Sequence, residues 1–284
     1  MLQFSGVCKA FLDRDKGKGM VALREVDLTV AEEELVCLVG PSGCGKSTLL
    51  NLAAGFDRPT RGSVTLNGLE VERPSPRIGM VFQDPSLFPW LSVLENVALG
   101  LRVQGVGRRE REERAREMLR LVDLESFERS RPSDLSGGMK QKVAIARTLA
   151  LDPDILLMDE PFGALDEQAR KHMDLELLKI WQRERKTVVF VTHNIEESIV
   201  LGSRIVLMGT RPGRVFREWK VDIPRPREIF GKDASTLRQE ISGALQQVLS
   251  DCGCKRSEVY QPTIIGEIKE ESGWRGDKGS SSCR

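Results

Sequence analysis

The sequence predicts an α/β fold: a core of buried parallel strands and helices, interrupted by a helical lobe and followed by a C-terminal extension. Three stretches predict it. LVCLVGPSGCGKSTLLNLAAG, from Leu35 to Gly55, sets a glycine-rich turn between a short apolar run and a helical pattern. ILLMDEP, from Ile155, is a second apolar run that ends in adjacent acids. LSGGMKQKVAIARTLA, from Leu135 to Ala150, places two glycines at the start of an otherwise well-made helix.

In the first stretch the pattern is G-x-x-x-x-G-K-S/T in a strand, turn and helix context. Glycines there let backbone amides close around phosphate oxygens, a lysine supplies mobile positive charge, and a hydroxyl can ligate Mg²⁺. The expected nucleotide-binding residues are therefore Gly40, Pro41, Ser42, Gly43, Cys44, Gly45, Lys46, Ser47 and Thr48. Cys44 has no assigned role, although its alkylation is expected to block the pocket.

The second stretch predicts a strand over Ile155 to Met158, with its carboxylates at the ligand-binding edge of the sheet. Asp159 is the candidate for the Mg²⁺ shell, and Glu160 for the general base or water-orienting group. In the third stretch, glycines at a helix start cost roughly 1 kcal/mol each against Ala. Bare amides at the positive end of a helix suit an anion; a Ser-capped helix with a flexible start is the alternative that the stretch alone leaves open.

Composition narrows the function classes. A chain of 284 residues can bury one substantial core or a core plus a lobe, and its 30% charged and 40% hydrophobic residues are ordinary for a soluble protein. A formal net charge of +1 gives no bulk argument for nucleic acid or an anionic membrane. No run approaches the roughly 20 apolar residues of a membrane span, and the N-terminal residues lack a signal-peptide pattern. The expected location is cytoplasmic. The six cysteines (Cys8, Cys37, Cys44, Cys252, Cys254 and Cys283) are scattered, which favours reduced thiols; metal binding or cross-linking stays open for the last three.

With these pieces the chain resembles the ATP-binding subunit of an ATP-binding cassette (ABC) transporter, over roughly residues 1 to 225. The resemblance implies a P-loop NTPase core of ABC type with a helical subdomain. It makes LSGGM the signature motif, so that Ser136, Gly137 and Gly138 meet the γ-phosphate held by a second subunit in a head-to-tail dimer. It gives Phe11 adenine stacking and Gln83, in MVFQDPSLFPW, a place in the Mg²⁺ shell and a link to the membrane partner. Asp166, in GALD, faces the other subunit, and His193, in VVFVTHN, contacts the γ-phosphate and the attacking water. The implied catalytic set is Glu160, His193 and Gln83; the implied metal set is Ser47, Gln83 and Asp159. Met139 and Asn194 stand where Gln and Asp are frequent, and neither removes a catalytic group.

The implied cofactors are ATP and Mg²⁺. The implied partners are a second ATP-binding subunit, membrane permease subunits and, indirectly, a periplasmic or surface solute-binding protein, with no nucleic acid. The subunit would lie peripherally on the inner face of the cell membrane. Residues 1–84 and 156–228 are expected to interleave as the core, with strands around Leu35, Val64, Ile78, Ile155, Val188 and Ile205. Residues 85–155 form the helical signature subdomain and 229–284 the extension. GRREREERAREMLRLVDLESFE reads as a helix packed by one edge, its arginines balanced by glutamates. Trp90, beyond the Gln83 loop, either meets the permease or fills the small lobe's core.

LFPWLSVLENVALGL and RPGRVFREWKVDIPRPR resemble the branch that imports nitrate, sulfonates, taurine or bicarbonate. The alternatives are an exporter's ATPase and a soluble ABC ATPase acting on DNA or ribosomes; a single cassette without a long heptad run argues against the latter. In the extension, EIFGKDASTLRQEISGALQQVLSD has helical spacing, CGCKRSEVYQPTIIGEIKE is a strand pair, a regulatory contact or a plain terminus, and ESGWRGDKGSSSCR is expected to be disordered.

Overall fold

The structure, a computed structural model, describes residues 1–13 and 18–254. The chain runs β1 (Leu2–Asp13), β2 (Lys18–Val30), β3 (Leu35–Val39), α1 (Lys46–Ala54), β4 (Arg61–Leu66), β5 (Leu69–Glu70) and β6 (Ile78–Val81). It continues through α2 (Val93–Val103), α3 (Arg108–Leu121), α4 (Gly137–Leu149), β7 (Ile155–Asp159), α5 (Glu167–Glu184) and β8 (Thr187–Val191). It ends with α6 (Ile195–Leu201), β9 (Arg204–Gly209), β10 (Arg214–Lys220) and α7 (Lys232–Cys254).

Two sheets form. One is antiparallel, in the order β2-β1-β4-β5; the other is β10-β9-β3-β8-β7-β6, parallel from β9 to β6 with β10 as an antiparallel edge. The inner parallel strands are apolar throughout because both their faces are covered, and the period of two sorts their side chains into separate cores. Val36, Leu38, Leu157 and Val189 pack with α1 and the antiparallel sheet, whereas Cys37, Leu156, Met158 and Phe190 face the helices α2 to α7. That division puts the β3–α1 turn and the ends of β7 and β8 along one edge of the parallel sheet.

All six expected strands are present. The strand at Val64 joins the antiparallel sheet, and β1, β2, β5 and β10 are additional. β1 and β2 lack a clean alternation because their pairing slips register three times between Phe4 and Ala10, and a bulge breaks the period a sequence pattern relies on. Ile155, assigned from sequence to the helical segment, is the first residue of β7 and fully buried. α7 is part of the fold: Ala234, Ile241, Ala244 and Val248 are buried in the core that holds α6. The readings made for residues 255–284 lie outside the described residues.

Candidate nucleotide site

The turn from β3 into α1 can be closed only by glycine. Gly45, the N-cap of α1, has φ 93°, and a Cβ there would stand 2.6 Å from Leu23 Cδ2. Beyond it Ser42, Gly43, Lys46, Ser47 and Thr48 line a cleft of about 760 Å³. Phe11 and Met20 form an apolar wall from the antiparallel sheet; Phe11 is 42% exposed, with Lys9 Nζ 5.1 Å from its ring centre. Arg24 and the Arg211–Pro212 turn complete the rim. The volume suits a nucleotide-sized ligand.

Lys46 is 6% exposed, and its Nζ donates to the carbonyls of Gly40 (2.8 Å) and Pro41 (3.2 Å). Gly40 and Pro41 thus hold the lysine and stay off the cleft lining. Cys44 departs from expectation: its side chain is buried beneath the loop with Sγ 3.7 Å from Lys46 Nζ, and burial raises its pKa. A thiol that is enclosed and reluctant to ionise is a poor alkylation target.

At the end of β7, Asp159 hydrogen-bonds with the Ser47 hydroxyl; burial pushes its carboxyl up, the Ser47 bond opposes this, and the neighbouring Glu160 adds to the rise. A hydroxyl beside a carboxylate is an oxygen donor set suited to Mg²⁺, which takes one or two carboxylates and shares its shell with substrate phosphates. Glu160 has φ 45°, a left-handed backbone that costs a non-glycine residue about 1 kcal/mol or more. Its N–H donates to Val191 O (3.0 Å) and its carbonyl accepts from Gly163 N–H (3.0 Å), which fixes the turn. His193, just past β8, brings Nδ1 to 3.0 Å from Glu160 Oε2. Gln83 is exposed and does not line the cleft; its Nε2 is 3.3 Å from where a Cβ on Gly163 would stand.

The signature residues lie elsewhere. Ser136 caps α4 by accepting from Met139 N–H (3.3 Å), and Asp166 caps α5 by accepting from Ala169 N–H (2.9 Å). Together with Gly137, Gly138 and Leu165 they line a groove of about 600 Å³ that shares no lining residue with the first cleft. A Cβ would stand 3.4 Å from Leu165 Cδ2 at Gly137 and 4.0 Å from Met173 Sδ at Gly138, both ordinary contacts. Among the described residues nothing demands glycine here.

Within one chain, then, Phe11, the phosphate loop, Ser47 and Glu160 line one cleft, with Asp159 held on Ser47 and His193 on Glu160 just outside that lining, whereas Ser136, Gly137, Gly138 and Asp166 form a second surface. Arg24 and Arg211 were not anticipated as cleft residues. Arg211 lies just past the C-terminal end of β9, a ligand edge in such sheets, and that position was the available signal. Trp90 is 66% exposed, against Phe88 at a ring separation of 5.5 Å, so it does not fill the lobe's core. Among the described residues no helix is long and apolar enough to cross a membrane.

Comparison with known proteins gives a consistent picture. The family model described as "ABC transporter" matches residues 23–163. The taurine import ATP-binding protein TauB of Pseudomonas savastanoi pv. phaseolicola is 49% identical over 224 residues, covering 79% of this chain and 85% of its own length. TauB of Rhizobium johnstonii is 52% identical over 209 residues, covering 74% and 80%. Among solved structures, the dimeric post-hydrolysis state of the ATP-binding cassette MJ0796 bound to ADP and Pi matches with a TM-score of 0.68 and 37% identity, over 79% of this chain and all of that one.

Proposed function

Because this chain belongs to the ABC transporter family as an ATP-binding subunit of the importer kind, we propose that two copies close head to tail on MgATP and so drive uptake of a small aminosulfonate of the taurine type. The observation that carries the shared-site part is the separation of the two surfaces: a nucleotide cleft without signature residues, and a signature groove whose glycines no described residue of the chain requires. The solute class is supported by the names of the relatives. The import names also rank uptake above export.

In the mechanism, Phe11 stacks on the base, and the amides around Ser42, Gly43 and Gly45 take the phosphates. Lys46 exchanges its carbonyl partners for the outer phosphates, a short move because Gly40 and Pro41 already hold it at the loop. Ser47 and Asp159 would hold Mg²⁺, with Gln83 joining from the Gly163 side on closure. When bound, the ion neutralises charge on the phosphoryl oxygens. Glu160 accepts a hydrogen bond from the attacking water and orients it in line, and its left-handed backbone fixes the direction of that carboxylate. His193, held on Glu160, donates toward the γ-phosphate. Ser136, Gly137 and Gly138 of the second copy close over the same phosphate at a helix N-terminus, where unpaired amides and the dipole favour negative charge. Catalysis is then chiefly positioning and electrostatics.

Trp90 and Phe82, both exposed and flanking Gln83 in sequence, are the surface offered to a permease. Membrane attachment on the inner face follows from that docking, and a solute-binding protein would deliver the aminosulfonate on the other side. Gel filtration of Glu160→Gln with and without MgATP tests the reading. A monomer-to-dimer shift that Ser136→Arg abolishes is expected; a shift that survives Ser136→Arg overturns the shared site.

A further inference from the structure

Behind His193 lies a buried acidic pair that phosphate binding and dimer closure do not use. Asp174 on α5 is 4% exposed and Glu197 on α6 is 5% exposed, and their carboxyl groups are hydrogen-bonded to each other. Two carboxylates enclosed together cannot both ionise at neutral pH, so the pair keeps one proton. Glu197 in turn accepts a hydrogen bond from the Thr192 hydroxyl. Thr192 is held from two more directions: its N–H donates to Leu38 O on β3 (3.1 Å), and its Oγ1 accepts from Asn194 N–H (2.9 Å). The next residue is His193, 3.0 Å from the Glu160 carboxylate. An unbroken run of hydrogen bonds and one peptide link therefore joins Asp174 to the group that faces the γ-phosphate.

We propose that the Asp174–Glu197 pair, held together by one shared proton, is the positioning element that keeps Thr192, and through it His193, in register with Glu160 for hydrolysis. The proposal rests on the reading of Glu160 and His193 as the hydrolytic pair. Both acids are positioning residues: neither lines the nucleotide cleft, and they share the wall of a second cavity with His193, whose own tie to the cleft is Glu160. Asp174 Oδ1 has no hydrogen-bond partner, so the contact with Glu197 is what anchors this side chain.

The charges around the pair set how it loses the proton. Arg170, on α5, acts on both acids, but its guanidinium is committed to the carbonyls of Phe162 (3.3 Å) and Leu165 (3.1 Å). His193 faces Glu197. From β3 comes the buried Cys37 thiol, and from the segment after β10 come Arg225 and Arg227, which face that thiol. Asp174, Glu197 and His193 share the wall of a cavity of about 710 Å³, around which Glu196 pairs with Arg238 of α7 (3.0 Å) and Glu167 with Lys171 (2.6 Å). None of these cations reaches the carboxyl pair directly enough to replace the proton: burial, then the Glu197 charge and hydrogen bond, push Asp174 up to about 9. Above that pH two like charges would share one enclosed site, and Glu197 would pull away from Asp174 and carry Thr192 with it.

The experiment is steady-state MgATP hydrolysis by the full chain from about pH 7 to about pH 10, for wild type, D174N, D174L and His193→Ala. In D174N an amide N–H donates to Glu197 with no proton to lose. It is expected to keep kcat within about threefold at neutral pH and to lack the wild-type fall above about pH 9. D174L removes the donor, and is expected to lower kcat about tenfold or more while KM for ATP stays within about threefold. A D174L enzyme with wild-type kcat, or a D174N enzyme with the wild-type alkaline fall, overturns the proposal. If D174L does not fold, the D174N profile decides alone. His193→Ala separates the two levels: full activity in it removes the underlying site reading, whereas impaired activity in it alongside wild-type behaviour of the Asp174 variants removes only this inference.

Discussion

Two glycine-rich helix starts, at Gly45 and at Gly137–Gly138, use the same residue for opposite reasons. At α1 the glycine is demanded from within, by a φ of 93° and by Leu23 Cδ2 at 2.6 Å from a would-be Cβ. At α4 both glycines have room for a side chain. The first is glycine because of the fold; the second is left unexplained by the fold, and the proposed reason is the phosphate that a second copy would bring to rest on it. The contrast separates a turn whose sequence the described fold accounts for from one that the proposed dimer would account for.

The largest effect concerns the chemistry common to both surfaces. Glu160→Gln should reduce kcat on the order of 10²-fold or more, measured as phosphate release, while MgATP still binds. Retention of normal turnover would place the water-orienting group elsewhere and leave the two surfaces without a shared reaction.

Next come the glycines themselves, where the signs should differ. Gly45→Ala should destabilise by about 1–3 kcal/mol through strain at a left-handed position, seen as a lower Tm and weaker nucleotide binding. Gly138→Ala, inside a helix with open space, should stabilise by about 0.5–1 kcal/mol, yet lower kcat and weaken ATP-dependent dimerisation of Glu160→Gln. A loss of Tm at both positions would erase the contrast. A rise in Tm at Gly138 with unchanged turnover would show that the signature groove receives no phosphate.

The last effect, read only as a trend with pH, is a pH dependence of stability that the Asp174 pair should impose. Asp174 titrates near 3.8 when unfolded and near 9 when folded, so the folded state binds the extra proton between these values. Its contribution is complete below about pH 4 and declines as pH rises toward about 9, because unfolding then releases a proton. D174N lacks this decline. The Tm of D174N relative to wild type should therefore climb across that window and level off beyond it, as followed by thermal melts in a series of buffers. A constant difference would mean that the pair holds no shared proton.

The sequence was most legible where local chemistry and fold coincide. The strand before Gly40, the acids after Met158 and the Ser136 cap each carry a short signal that a single segment satisfies, and the structure has β3, β7 and α4 there. It was least legible where distant segments meet. Asp174 and Glu197 are 23 residues apart on separate helices and belong to no motif; only the packing of α5 on α6 encloses them. Arg24 reaches the cleft from the antiparallel sheet, which no local pattern encodes, whereas Arg211 is signalled only by its place past the end of β9. β1 and β2 were hidden by slipped register, and Trp90 was ambiguous because an aromatic beside proline suits either an interior or an exposed turn.

The exposure of Trp90 also makes it an optical probe, once Trp274, outside the described residues, is replaced by Phe. Trp181 and Trp219 each lie under a guanidinium, Arg225 at 4.7 Å and Arg217 at 5.1 Å from the ring centres, and each indole N–H is engaged, by Lys186 O and by Glu240. Trp90 stands in water, so its emission should be red-shifted and open to quenching by iodide. Permease docking over this face would dry the indole, shifting that emission toward the blue and shielding it from quencher, so that assembly on the membrane could be followed in real time without a label.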